Sequence, residues 1–200
     1  KKYQKESAQA MWQGLATDAS ASALKTYATN LENNFQAGIQ SDLQSDVQAY
    51  VAAGGDLFVL NEDYMLKGIA RIGGRTDWNP SVIKAKQSQY LDDMMKLGDQ
   101  EIATNIALSE GKQAAFDYVY GDGNSFSTTE EKNNAYSKAI KALDNRMASV
   151  KTSSESMMED AMVNGSATPV EVYKSIAESL SGEPKEVIDA ANEAAKKKQK

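Results

Sequence analysis

Three glutamate–serine pairs, Glu6-Ser7, Glu155-Ser156 and Glu178-Ser179, are the side chains best suited to proton chemistry in this 200-residue chain. A glutamate acts as general acid toward a glycosidic oxygen when an apolar cleft raises its pKa and sugar-binding groups wall the site. Asp122, Asn124 and Glu131 offer a second chemistry. Oxygen ligands on a loop between helices suit a hard cation such as calcium, which takes about six to eight of them. Lys196, Lys197, Lys198 and Lys200 form a basic tail suited to phosphate, a lipid surface or an acidic partner. The same lysines also complement a helix C-terminus and keep a tail soluble. Composition excludes much else. With no cysteine and no histidine, the chain has no disulfide, no thiolate nucleophile, no histidine triad and no common zinc, haem or iron–sulfur ligand set. Its 22 basic and 28 acidic residues give a net charge of -6, against sequence-specific nucleic-acid binding.

The run Asp122-Gly123-Asn124-Ser125-Phe126-Ser127-Thr128-Thr129-Glu130-Glu131 is similar to the later ten positions of an EF-hand calcium loop. That likeness implies Asp122 and Asn124 as ligands and Glu131 as the closing bidentate carboxylate. Tyr120, however, stands where such a loop has its first aspartate, Ser125 replaces the turn glycine, and Ser127 replaces an aliphatic residue. A Gly/Asn turn followed by a helix cap accounts for the same residues without metal. The Glu-Ser pairs resemble the general-acid context of lytic transglycosylases, and Glu178-Ser179-Leu180-Ser181-Gly182 is the nearest match. Where that family has a Gly-Leu-Met-Gln-type segment, this chain has Val187-Ile188-Asp189-Ala190-Ala191. No catalytic residue, cofactor or metal is therefore assigned. No Walker, Rossmann or nucleophile-elbow motif occurs, and Gly54-Gly55 and Gly73-Gly74 read as punctuation between helices.

The elements that carry these residues read as helices. Only 3 prolines interrupt a chain rich in Ala, Gln, Lys, Glu, Ser and Met. From Leu24 the apolar positions continue through Ala28, Leu31, Phe35, Ile39, Leu43, Val47 and Tyr50, a mean spacing of about 3.7. Residues 1–55 are thus one long helix or two in tandem. Trp12 lies on its early part, where packing against another helix is favoured over a seat at a membrane interface. Residues 56–122 read as a short helix plus a helical hairpin. Leu57-Phe58-Val59-Leu60 is strand-like and expected as a buried connector. Asn61 caps a helix to Ile72. Asn79-Pro80 starts the next helix, and Gly98 with Asp99 turns it back antiparallel into one that runs to Tyr120 with a weak point at Gly111. Residues 123–165 hold a long helix after Ser127 and Thr128, each with a glutamate three positions on. Residues 166–200 form a helix–turn–helix with the basic tail.

In the long helix, Tyr136, Ile140, Leu143, Met147, Val150, Ser154, Met157 and Ala161 alternate spacings of four and three. This is a heptad seam, and it predicts a partner helix. Met147, Met157, Met158 and Met162 place half of the 8 methionines there, suited to adaptable packing. A compact 200-residue domain has a radius of gyration of roughly 16–17 Å. A helix of about 35 residues is roughly 50 Å long. The expected fold is therefore all-α, an elongated arrangement of long helices with helical hairpins and at least one heptad seam.

The helical run from Tyr27 to Gln48, the segment Val82-Ile83-Lys84-Ala85-Lys86 through Leu97-Gly98-Asp99, and Ala114-Ala115-Phe116-Asp117-Tyr118 together resemble the internal virion, or ejection, proteins of short-tailed bacteriophages. The resemblance covers about half the chain and implies a structural subunit of stacked helical rings, located in the virion. Away from that resemblance, the expected location is cytoplasmic. A capsid scaffolding protein is the nearest alternative, and a helical peptidoglycan-cleaving enzyme acting through Glu178 is a further one. The expected partners are further copies of the chain and other assembly subunits; membrane contact stays open but has no supporting segment.

Overall fold

In the computed structural model, residues 2–199 are described, with side chains from residue 21 onward, residue 63 excepted. The fold is all-α, with no strand among the described residues. The helices are α1 (Lys2–Ala52), α2 (Leu57–Asp63), α3 (Lys67–Gly73), α4 (Pro80–Glu110), α5 (Lys112–Tyr120), α6 (Thr129–Asn164), α7 (Pro169–Ser179) and α8 (Lys185–Lys198). They divide into two compact units, one of Lys1–Asp46 with Leu66–Gln87 and one of Val47–Met65 with Ser88–Lys200.

In the first unit, α1 supplies polar groups that the 66–78 segment lacks. Leu66 precedes α3 and offers no side-chain cap. The fully buried Asp46 takes that role, accepting from the backbone N–H of Lys67 at 3.2 Å and of Gly68 at 3.0 Å. One turn back, Asp42 receives Arg71 through Nε at 2.5 Å and Nη2 at 3.3 Å. This two-pronged contact passes over Gly38, where a Cβ would come within 2.7 Å of Arg71 Nη1. Arg75 lies 4.4 Å from the ring centroids of both Phe35 and Trp78, and it binds Glu32 at 3.0 Å and Asp77 at 2.7 Å. Glu32, Phe35, Gly38, Asp42 and Asp46 follow helical spacing, so one face of α1 meets the whole segment.

In the second unit, α6 is the central stave, packed against α5, α7 and α8. It opens with the capping box Thr128–Glu131 and ends at Gly165, whose φ of 64° is left-handed. α7 repeats the device with Thr168 and Glu171, with Pro169 at its first turn. The core joins Ala135, Ala139, Leu143, Val150 and Met158 of α6 to Val187, Ala191 and Ala195 of α8, with Val172 and Ile176 of α7 beside them. Alanines on both α6 and α8 let the two backbones approach closely, which a row of leucines would prevent.

Three sequence expectations are corrected in the 56–122 region. Leu57–Leu60 is neither strand-like nor a buried connector. It begins α2, capped by Asp56, whose carboxylate accepts from Phe58 N at 2.8 Å and Val59 N at 3.4 Å, and only Leu60 of the run is buried. The helix expected from Glu62 to Ile72, with Asn61 as its cap, is divided between two helices, α2 and α3. The hairpin at Gly98–Asp99 does not form, because α4 passes straight through both residues. The interruption falls at Gly111, whose φ of 96° only glycine adopts readily. Gly98 serves packing instead: a Cβ there would lie 2.3 Å from Tyr50 Cδ1.

Replacing a mid-helix glycine by alanine ordinarily stabilises by about 1 kcal/mol. Overpacking a closed contact costs about 1–3 kcal/mol. Gly98→Ala should therefore lower the melting temperature followed by circular dichroism. An unchanged or raised midpoint would show that Tyr50 yields without loss.

Candidate functional site

Asp99 is the most constrained polar group of the second unit. It is 1% exposed, in the middle of α4, yet its carboxylate accepts from three directions. Tyr50 Oη donates to Oδ1 at 3.2 Å, Tyr118 Oη to Oδ1 at 2.8 Å, and the Ser125 backbone N–H to Oδ2 at 2.6 Å. One buried carboxylate thus ties the end of α1, the body of α5 and the loop after it to α4. Burial first, and the Asp99 carboxylate next, push both phenols above the ordinary tyrosine range, so both remain protonated donors.

Beside this node is an open cleft of about 590 Å³, lined by Tyr50, Gly55, Phe58, Met95, Asn124 and Ser125 among others. Ser125 Oγ is buried at its edge without a hydrogen-bond partner. The ring of Phe58 is 86% exposed, and Asp56 is committed to capping α2. The cleft therefore offers apolar contact and a hydroxyl, and no general acid–base pair lines it.

The loop with calcium-like spacing is spent on structure. Asn124 Nδ2 donates to the carbonyls of Tyr118, Val119 and Gly121, while its Oδ1 accepts from Phe126 N. Glu131 Oε2 accepts from Ser127 N, Ser127 Oγ and Thr128 N, and its Oε1 pairs with Lys96 at 2.7 Å. Asp122 stands exposed. Among the described residues, no group of three or more carboxylates is placed to hold a metal ion.

The remaining sequence candidates are dispersed. Glu178 is exposed on α7, 3.8 Å from Lys174, in a solvated ion pair. Glu155 is half-buried on α6, in a depression shared with Glu159, Asp160 and Lys198. Glu6, Trp12 and Lys200 fall outside the described side chains. In the tail, Lys197 pairs with Glu193 at 3.3 Å and Lys198 with Glu159 of α6 at 3.1 Å, while Lys196 is exposed. Along the seam, Leu143 and Val150 are buried, and Tyr136, Ile140, Met147 and Met157 are half-buried. Ser154 and Ala161 of the seam are buried too, while the buried stripe begins one residue before the seam at Ala135 and Ala139 and passes one residue beyond it at Met158. Half-buried Tyr136 and Tyr120 meet Phe116 in an aromatic trio, Phe116 and Tyr120 stacked at 4.5 Å and Tyr136 edge-on to each.

Sequence reasoning missed Tyr50, Asp99 and Tyr118 as a group. The available signal was the unbroken helical spacing of Met94, Gly98, Ile102 and Ala103, which argues against a turn at Gly98. Among the described residues, no helix is long and apolar enough to cross a membrane. No protein-family model, no curated protein and no solved structure matches the chain.

Asp99→Ala should leave two phenol hydroxyls and one backbone N–H without an acceptor. A loss of about 2–4 kcal/mol in urea unfolding is expected. A loss below that of either Tyr50→Phe or Tyr118→Phe alone would contradict the shared node. Glu131 carries a pH signature. Lys96, the Ser127 hydroxyl and the Thr128 and Ser127 amides hold its pKa at about 2, below the ordinary 4.5. Its contribution is complete above 4.5 and fades as pH falls toward 2. Glu131→Gln should therefore melt earlier than the parent at neutral pH, with the gap closing across that acid window.

Proposed function

We propose that the chain is a structural subunit of a large multi-protein assembly, in particular an internal virion protein of the ejection type found in short-tailed bacteriophages. One observation carries the assembly reading: large apolar side chains stand in water at separate places along the chain. Leu24, Tyr27 and Leu31 do so on α1, Phe58, Val59 and Met65 around α2, and Met162, Val163 and Val170 around the α6–α7 turn. Contiguous exposed apolar side chains mark surfaces made for contact. The polar groups follow the same logic, since Asp46, Asp99, Glu131, Glu171 and Glu186 are spent on capping and bracing helices. The virion assignment rests on the resemblance of the helical run from Tyr27 to Gln48 and of the segments between Val82 and Tyr118.

Mass spectrometry of purified particles tests the assignment. Particles full of DNA should contain the chain, and particles that have released their DNA should lack it. Its confinement to unpackaged procapsids would instead identify a scaffolding protein, and absence from every particle would overturn the virion reading. Peptidoglycan turnover by the purified chain, lost in Glu178→Gln, would replace it with the enzymatic alternative.

A further inference from the structure

We infer that residues 21–31 of α1 form an antiparallel helix pair with a second copy of the same chain; the inference rests on the assembly reading and names one of its contacts. Every residue from 21 to 31 is exposed, and the nearest tertiary contact downstream of this stretch is the Glu32 pairing with Arg75. Its own composition supports it poorly. Thr26, Thr29, Asn30, Asn33 and Asn34 are weak helix formers, and Thr26 and Thr29 turn their hydroxyls back onto the carbonyls of Ser22 and Lys25. Isolated helices of this length are marginal in water and depend on burying an apolar face.

Such a face is present. Leu24, Tyr27 and Leu31 are 68%, 63% and 52% exposed. Ala21, Leu24, Ala28 and Leu31 alternate spacings of three and four, which makes one helical seam. Farther along α1 the same stripe is half-buried at Phe35, Ile39 and Leu43, so among the described side chains its uncovered part is residues 21–31.

The charges beside the seam select the partner and its direction. Lys25 and Glu32 occupy the same flanking position one heptad apart. In a parallel pair this position faces the one held by Tyr27 and Asn34, which carry no charge. In an antiparallel pair it faces its own equivalent, so Lys25 of each copy meets Glu32 of the other. The contact occurs twice about a two-fold axis, the self-complementarity an isologous interface requires. Glu32 accepts from Gln36 at Oε1 and from Arg75 at Oε2, and its side chain stays 47% exposed, so a second cation can still approach the carboxylate from solvent.

Sedimentation velocity of the full chain over a concentration series provides the test. The expected result is a monomer–dimer equilibrium rising to twice 21.7 kDa. Leu24→Asp with Leu31→Asp alters only exposed side chains, so it should keep the thermal midpoint and weaken the dimer by about tenfold or more. Lys25→Glu and Glu32→Lys should each weaken self-association. An equimolar mixture of the two should associate more tightly than either alone, because both cross-pairs become attractive. If Glu32→Lys does not fold, Lys25→Glu alone still reports, since salt should restore its dimer by screening the like charges. A wild-type chain that stays monomeric, a dimer indifferent to the aspartates, or a mixture no tighter than its components would each overturn the pairing. A larger species that survives the aspartate changes would remove this helix pair and leave the assembly reading intact.

Discussion

A helix start leaves backbone N–H groups without acceptors, and much of this structure depends on carboxylates that answer that need from far along the chain. Leu66 cannot cap α3, and Asp46 does so across 21 residues. Gly111 cannot cap α5, and Glu186 of α8 accepts from Lys112 N at 3.2 Å across 74 residues. Asp99 applies the same principle to a loop and two phenols at once. Each carboxylate stabilises a segment only when the distant element is already docked, so local and tertiary order arrive together. A buried carboxylate left without such donors would be strongly destabilising, which makes the contacts mutually obligatory.

Distance along the chain also explains what the sequence made legible. Thr128 with Glu131 and Thr168 with Glu171 are complete within four residues, and both form capping boxes, the first at one of the two positions the pattern offers. The all-helical class follows from periodicity and the scarcity of proline, which are likewise local. Gly98 marks the opposite case. Its local meaning is a helix stop, but Tyr50, 48 positions earlier, needs the space that a missing side chain leaves. Asp56 shows the same limit: a cap read at Asn61 lost to one five residues upstream, and the apolar run behind it became helix. The buried stripe of α6 starts one position before the heptad seam at Ala135 and Ala139 and lies one beyond it at Met158, the drift that a straight helix makes against a strict heptad repeat.

Charge has a comparable double meaning. The acidic excess is not spread idly over helical faces, because the carboxylates with the most defined partners are those that hold elements together. Arg71, Arg75, Lys96 and Arg146 answer them, the last binding Glu183 in the turn between α7 and α8. The apolar residues show the reverse pattern: alanine fills much of the interior, while Leu24, Phe58 and Met65 stand in water.

The cap that Glu186 places on α5 also orders events in time. During synthesis α5 and α6 leave the ribosome before α8, so the start of α5 waits for a carboxylate not yet made. Until α8 docks, the alanine face of α6 also lacks its closest cover. The second unit therefore closes late, and a nascent chain halted after α7 would keep open the very surfaces that the finished molecule hides.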